Sequence, residues 1–222
     1  MRTGIRCVIW TGFLVGLLAA TGCATQSGDR FREKPLEPYN YQGRFLVGVL
    51  PFSADAIAET QYRTSQTYSG SLIGRLQEHS RYRLIERERL AALLQEQTLQ
   101  AFSGMVDASS AQEVGVMLGA EAICITEIDS VQYSENRTTA FIAWINSQQV
   151  HVQLSSRIVS VETGEILSAA KTSITRGRRQ WVAFGFLRTG DMIDNQLLVD
   201  EAMEVAIQDL AYQLSAQAPV KQ

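Results

Sequence analysis

Val150–Thr175 reads V-H-V-Q-L-S-S-R-I-V-S-V-E-T-G-E-I-L-S-A-A-K-T-S-I-T, and its period decides the fold. Val150, Val152, Leu154 and Ile158 fall at even positions, while His151, Gln153, Ser155 and Arg157 lie between them. A period of two buries one face of a β-strand and leaves the other wet. Glu162-Thr163-Gly164-Glu165 then supplies a tight turn, with Gly164 free to take a positive φ, and Ile166 starts a returning strand. A lone hairpin is only marginally stable in water. The rest of the chain must therefore cover its apolar face.

Outward from the hairpin, the strict alternation gives way to other patterns. Phe45–Phe52 is a continuous apolar run closed around Pro51, as expected of a strand buried on both faces. Ser53–Ser65 is polar and loop-like. Tyr68, Leu72, Ile73 and Leu76 recur at helical spacing, in a helix ending near His79-Ser80. Tyr82–Ile85 is a short strand. Leu90, Leu93, Leu94 and Ala101 mark a second helix, stopped near Ser103-Gly104. Ser110-Ala111-Gln112-Glu113 is a capping box opening a short helix that ends at Gly119. Ala122–Ile125 is another central strand. Val199, Met203, Ala206, Ile207, Leu210 and Leu214 form the stripe of a long closing helix. The order β-α-β-α-α-β-β-β-α predicts an α/β fold, a mixed sheet flanked by helices.

The N-terminus speaks to compartment. Arg2 and Arg6 form a positive n-region, and Cys7–Ala20 is an apolar stretch too short for a comfortable transmembrane helix. Ala20-Thr21-Gly22-Cys23 follows and resembles the lipobox of bacterial lipoproteins, with Ala20 where leucine is usual. That resemblance implies a signal peptide over 1–22 and an acylated Cys23 carrying chains such as palmitate. The plainer alternative is an ordinary secretory signal with an incidental cysteine. Ala24 after the cysteine resembles lipoproteins passed on to the outer membrane, with the domain on the periplasmic side. Several acyl chains make such attachment stable, each buried CH₂ contributing about 0.8 kcal/mol.

Residues 23–42 carry Pro35 and Pro38 without periodicity and read as a tether, with a reach of roughly 60 Å at about 3.3 Å per residue. Residues 43–217 then make one domain with length enough for a real core. The whole chain has 20 basic and 23 acidic residues. Removing 1–22 takes away Arg2 and Arg6 and no acid, leaving 18 against 23, net −5. That balance disfavours nucleic acid as a partner. With Cys7 cleaved off and Cys23 acylated, Cys124 has no intrachain partner for a disulfide.

Few groups suit an enzyme. His79 sits at a helix end and His151 on the wet face of the hairpin, so both read as structural or solvated. The sequence contains no Gly-rich phosphate loop, no G-x-S-x-G, no H-E-x-x-H and no metal-spaced Cys/His cluster. Glu86-Arg87-Glu88-Arg89 reads as a cap with surface ion pairs. Cys124 lies in an apolar strand, which raises its pKa and makes it inert. The expectation is no enzyme, no cofactor and no metal.

Two excursions flank the hairpin, at about 132–149 and 176–195. Thr138–Asn146 contains Phe141, Ile142, Trp144 and Ile145; Gln180–Arg188 contains Trp181, Val182, Phe184, Phe186 and Leu187. These nine are the candidate membrane or oligomer contacts. Each excursion is about long enough for two membrane β-strands of 9–11 residues, and Trp144 and Trp181 suit an interfacial girdle. Against insertion, Phe141–Ile145 would put apolar groups on both faces of a strand, and Arg176, Arg178 and Arg179 are costly in lipid. The alternative is that both stretches fold onto their own domain or a neighbouring subunit. Trp144 and Trp181 packed on the closing helix would mark that outcome.

Several segments resemble the curli-secretion channel lipoprotein family: Val47–Phe52, Leu72–Leu76, Leu84–Gln97, Leu118–Ile123 and, most specifically, Val159-Ser160-Val161-Glu162-Thr163-Gly164-Glu165-Ile166-Leu167. Together they cover most of 44–215, behind the lipobox. The resemblance implies a lipidated periplasmic α/β domain that forms a homo-oligomeric ring. It also implies two hairpins per subunit in one outer-membrane barrel, through which a protein substrate is exported or surface fibres are assembled. In the channel, a loop after the first strand narrows the pore. Here the equivalent Ser53–Gln66 is shorter, and Tyr62 is its one aromatic and hence its candidate pore-loop residue. Many family members resemble non-pore periplasmic lipoproteins instead, binding or scaffold modules in envelope assembly or regulation.

Overall fold

The computed structural model describes residues 34–36, 43–53, 65–85 and 114–220. The leader, most of the tether, Cys23, Tyr62, the Glu86–Arg89 cluster, the helix expected on Leu90–Ala101 and the Ser110–Glu113 capping box lie outside them. Strand β1 (Leu46–Val49) is followed by helix α1 (Ser65–His79) and strand β2 (Arg83–Leu84). One helical turn over 114–118 leads into β3 (Ala122–Ala140), β4 (Ala143–Ser160), β5 (Ile166–Ala183) and β6 (Leu187–Thr189). Helix α2 (Asn195–Ala216) closes the chain. The six strands form one mixed sheet in the order β2-β1-β3-β4-β5-β6. β1 runs parallel to both neighbours, and every later pairing is antiparallel. The fold is α/β.

The predicted alternation along β4 holds: Val150, Val152, Leu154 and Ile158 are all fully buried. They face the large core, where α1 contributes Tyr68, Leu72 and Leu76 and α2 its expected stripe of Val199, Met203, Ala206, Ile207, Leu210 and Leu214. Fully burying one such side chain contributes about 1.5–3 kcal/mol, which is what holds α2 on the sheet. Polar contacts align the two helices: Tyr68 Oη donates to Asp200 Oδ1 at 2.9 Å and Ser71 Oγ to Glu204 Oε2 at 2.7 Å. Asp194 caps α2, its side chain accepting from Gln196 N at 2.8 Å. On the opposite face, the turn over 114–118 covers only the base of the sheet. There Val114 and Leu118 pack with Leu50, Ile123, Ile125 and Val159. β1 is thus buried on both sides, as its apolar run requires. Gly164 takes φ 73° in the β4–β5 turn, and Gly119 takes φ 65° after the short helix.

The strands run further than the sequence alone marks, and the two hairpin-like excursions are their continuations. β3, β4 and β5 run 19, 18 and 18 residues without interruption, so the sheet leaves the core and continues as a three-stranded ribbon. The first excursion is the far half of β3 and β4, joined through Phe141-Ile142. The second is the far half of β5, which turns through Phe184–Phe186 and returns along only the three residues of β6. A register shift between Ile128 and Ser130 bulges Asp129 out of β3 on the way.

Gly190 ends the return. It has φ 85°, and a Cβ there would sit inside contact distance of the Arg179 carbonyl oxygen. Gly190→Ala is expected to destabilise by about 1–3 kcal/mol through the left-handed backbone alone, before any displacement of the strand. Thermal melting monitored by circular dichroism checks it; an unchanged melting temperature would mean the return segment does not need this path.

Candidate membrane and assembly surface

The register of β4 against β5 gathers the candidate residues. Ala143 pairs with Ala183, Trp144 with Val182 and Ile145 with Trp181, so residues nearly forty positions apart become neighbours at one end of the sheet. The two turns are tied directly: Phe184 N donates to the Ile142 carbonyl at 2.8 Å. All nine candidate contacts thus lie on or within a few residues of these two turns. Phe141, Ile142, Trp181, Phe184, Phe186 and Leu187 are exposed there, Phe141 fully and Phe186 by 77%. Phe184 and Phe186 lie 6.2 Å apart between ring centroids. Val182, by contrast, is buried at 2%. Among the described residues, neither Trp144 nor Trp181 joins a hydrophobic core cluster, and Trp181 is 52% exposed.

The apolar run that counted against a strand is resolved by the turn. Phe141 and Ile142 are turn residues, so only Ala143, Trp144 and Ile145 must alternate. Trp144 shares its face with Val182 and Arg188, and Ile145 shares the other with Trp181. The arginines divide. Arg178 is clamped by Glu201 of α2, with Nη2 at 3.0 and 2.8 Å from the two carboxylate oxygens. Beside it Gln148, itself buried, donates through Nε2 to Asn195 Oδ1 at 3.2 Å. Those contacts hold the ribbon where it leaves the core. Arg137, nearer the tip, lies 4.9 Å over the Trp144 ring.

Both ribbon edges are open. β5 pairs with β6 only over Trp181–Ala183, and β3 pairs with β1 only over Ala122–Cys124, with one further bridge from Ser53 to Glu127. Beyond those points, among the described residues, no strand covers β3 or the preceding length of β5. Uncovered strand edges are templates for further strands.

Sequence reasoning missed a second polar feature on the face turned away from the helices. Arg157 pairs with Glu127 at 3.2 Å, and Lys171 with the bulged Asp129 at 2.8 Å, where Ser155 Oγ also donates at 2.7 Å. Glu127, Ser155, Arg157 and Lys171, together with Ile125 and Ile166, line an open groove of about 330 Å³. Alternating charges on the wet face of β4 and β5 hinted at it, but the Asp129 bulge has no sequence signature. Partial burial pushes the Asp129 carboxyl up, yet Lys171 and Ser155 outweigh it and hold the pKa below the ordinary aspartate value. The charged form is therefore favoured in the folded state. Its stabilisation is present above the unfolded carboxylate range and is lost as pH falls through the folded value. Asp129→Asn is expected to lower stability near neutral pH by up to about 1 kcal/mol, as for a mostly exposed pair. At strongly acidic pH the variant and parent should melt together; a constant gap across the acid range would refute the ion-pair origin.

The remaining titratable candidates make local contacts. His151 Nδ1 lies 3.0 Å from Thr175 Oγ1 and Nε2 2.9 Å from Gln153 Nε2, on the polar face. His79 meets the Tyr212 ring edge-on at 6.1 Å. Burial pushes the Cys124 thiol up, with hydrogen bonds to Ser156 and Thr126 pulling the other way. Among the described residues no cluster could hold a metal ion, and no helix is long and apolar enough to cross a membrane.

Solved structures similar to this architecture include lipoprotein GNA1162 from Neisseria meningitidis, 14% identical, covering 75% of this chain and 98% of that one at a TM-score of 0.38. The LpoB C-terminal domain from Escherichia coli is 14% identical over 59% of this chain and 82% of its own, at 0.39. The PelC dodecamer from Paraburkholderia phytofirmans is 9% identical over 83% and 96%, at 0.36. No curated protein sequence matches the chain. Residues 36–221 match the model of the family described as curli production assembly/transport component CsgG, a span that contains all of residues 43–217. The chain therefore belongs to the CsgG family of curli production assembly and transport components.

Proposed function

We propose that this protein is a lipid-anchored outer-membrane component that self-associates through its projecting ribbon and forms or assists a pore for protein export or surface-fibre assembly. The observation that carries the reading is the ribbon itself: three strands leave the core with both edges uncovered by any strand among the described residues, and with two aromatic turns at their end. Edges of that length are a liability in a monomer and are satisfied by neighbouring strands in an assembly. In this reading 1–22 is a signal peptide, Cys23 carries the lipid, 23–42 is the tether and 43–217 is the periplasmic domain. Tyr62 is the residue proposed to narrow an assembled pore. No catalytic step, cofactor or metal is invoked, and the cargo is a protein.

Extraction of the full chain in mild detergent, followed by light-scattering mass measurement, tests the proposal. A defined multiple of the protomer mass is expected, and a strict monomer at all concentrations would refute it.

One observation favours a second reading, a non-pore envelope scaffold. β6 pairs over three residues, whereas a membrane strand needs about 9–11. On that reading, removing Glu135–Asn146 and Arg178–Thr189 leaves a folded domain that keeps its cellular activity. On the pore reading the same deletion abolishes export.

A further inference from the structure

The end of the ribbon is layered, and the layers are thin. Outermost are the exposed Phe141, Ile142, Phe184 and Phe186 of the two turns. Trp144 and Trp181 come next, on opposite faces. Arg137 and Arg188 then flank the Trp144 face, Arg188 in register with Val182, while Arg179 lies two residues from Trp181 on the other face. From the Phe141 turn back to Arg137 is four residues, roughly 13 Å at about 3.3 Å per residue. A transmembrane barrel needs an apolar band about 25 Å tall. An interfacial anchor buries its apolar part about 5–10 Å, with aromatic rings and cations at the headgroup level.

The cations are available. Among the described residues, Arg137, Arg179 and Arg188 have no carboxylate partner, unlike Arg178, whose charge is taken by Glu201. The nearest acids along the strands are Glu135, which accepts from Tyr133 Oη at 3.3 Å, and Asp191 beyond Gly190. This tip is basic on a chain whose formal charge is −3. Arg137 is also oriented by its stacking over Trp144, leaving the edge of the guanidinium free to bind a phosphate bidentately.

Resting on the membrane component of the function proposed above, we propose that the ribbon tip is a shallow anionic-phospholipid anchor: the phenylalanines enter one leaflet while Arg137, Arg179 and Arg188 bind lipid phosphates. The tip then stops in the headgroup region instead of spanning the bilayer. In this arrangement the protein assists export by holding its ribbon against the membrane surface, and each tip makes a lipid contact independent of the acyl anchor.

Intrinsic tryptophan fluorescence reads this surface selectively: the chain has three tryptophans, Trp10, Trp144 and Trp181, and Trp10 leaves with the proposed 1–22 signal peptide. The mature lipidated protein is reconstituted into vesicles of phosphatidylcholine with or without phosphatidylglycerol, containing lipids brominated either near the glycerol or near the chain end. Quenching by the shallow bromines is expected to exceed that by the deep ones, and to require phosphatidylglycerol. The triple variant Arg137→Gln/Arg179→Gln/Arg188→Gln is expected to weaken tip engagement roughly 100-fold, about 5-fold per charge. The corresponding triple lysine variant retains most of it, and guards against misfolding as the cause. Deep quenching equal to or above shallow would overturn the shallow placement. Equal quenching in both vesicle types would overturn the phosphate contacts. Absence of quenching in any vesicle would overturn the anchor and remove lipid contact from the proposed function, whose self-association is tested separately by mass.

Discussion

Phe141→Gly/Phe184→Gly is expected to make the protein slightly more stable and to cost it the contact its ribbon tip makes. Both residues have positive φ, 52° and 54°, a region that disfavours a bulky L-residue by about 1–2 kcal/mol. Glycine relieves that strain but adds roughly 0.5–1 kcal/mol of unfolded-state entropy each, so a net gain of about 1 kcal/mol for the pair is the expected balance. For a domain of this size that raises the melting temperature by about 2–4 °C. Little packing is lost, since Phe141 is fully exposed and Phe184 is 59% exposed. Outside the protomer the effect is reversed and larger. Each phenylalanine buried in lipid or in a neighbouring subunit contributes about 1.5–3 kcal/mol, so losing two weakens that contact by at least a hundredfold. The paired measurement is a melting curve and a vesicle-quenching or oligomer-mass assay on the same preparation. A lower melting temperature would show that the rings stabilise their own protomer, and unchanged assembly and membrane contact would show that they serve neither.

A mostly exposed phenylalanine held in a left-handed turn is a local inconsistency of the kind expected at functional or strained sites. It also explains what the sequence hid. Two-residue hairpin turns are recognised by Asn-Gly or Gly-X, and Phe141-Ile142 carries neither signal. The sequence therefore shows length enough for two strands here but does not place the turn between them, nor mark β3 as running unbroken from the core into the ribbon. The β4–β5 hairpin was legible because its alternation is strict and Gly164 marks its turn. α2 was legible because six apolar residues share one stripe. The candidate contacts were named by their composition, but their meeting at one tip depends on the Trp144–Val182 and Ile145–Trp181 register, which follows from pairing across the far turn. The parallel approach of β1 to β3 and the bulge at Asp129 are tertiary facts with no local trace.

Leu154→Ala is expected to destabilise the whole sheet by about 3–4 kcal/mol, within the range for a fully buried leucine that leaves a partly collapsed cavity. The melting temperature should fall by about 6–16 °C. The reason lies in the position of the residue. Leu154 pairs with Ile128 on β3 and Thr172 on β5 and faces the core under α2, at the middle of the one strand to which both ribbon partners are bonded. Ile145→Ala, on the same strand but in the ribbon, removes a half-buried side chain facing Thr138 and Trp181, and about 1 kcal/mol is expected. The contrast distinguishes two pictures of the ribbon. If it is held only through its continuity with the core, hydrogen exchange should show ribbon amides losing protection in step with core amides in Leu154→Ala, while Ile145→Ala loosens the tip alone. Ribbon amides that stay protected after the core has opened would require the ribbon to be stable by itself. A three-stranded ribbon without a covered apolar face has little to stabilise it in water, so the first outcome is the expected one, and the ribbon persists because Val150, Val152 and Leu154 anchor its lower end.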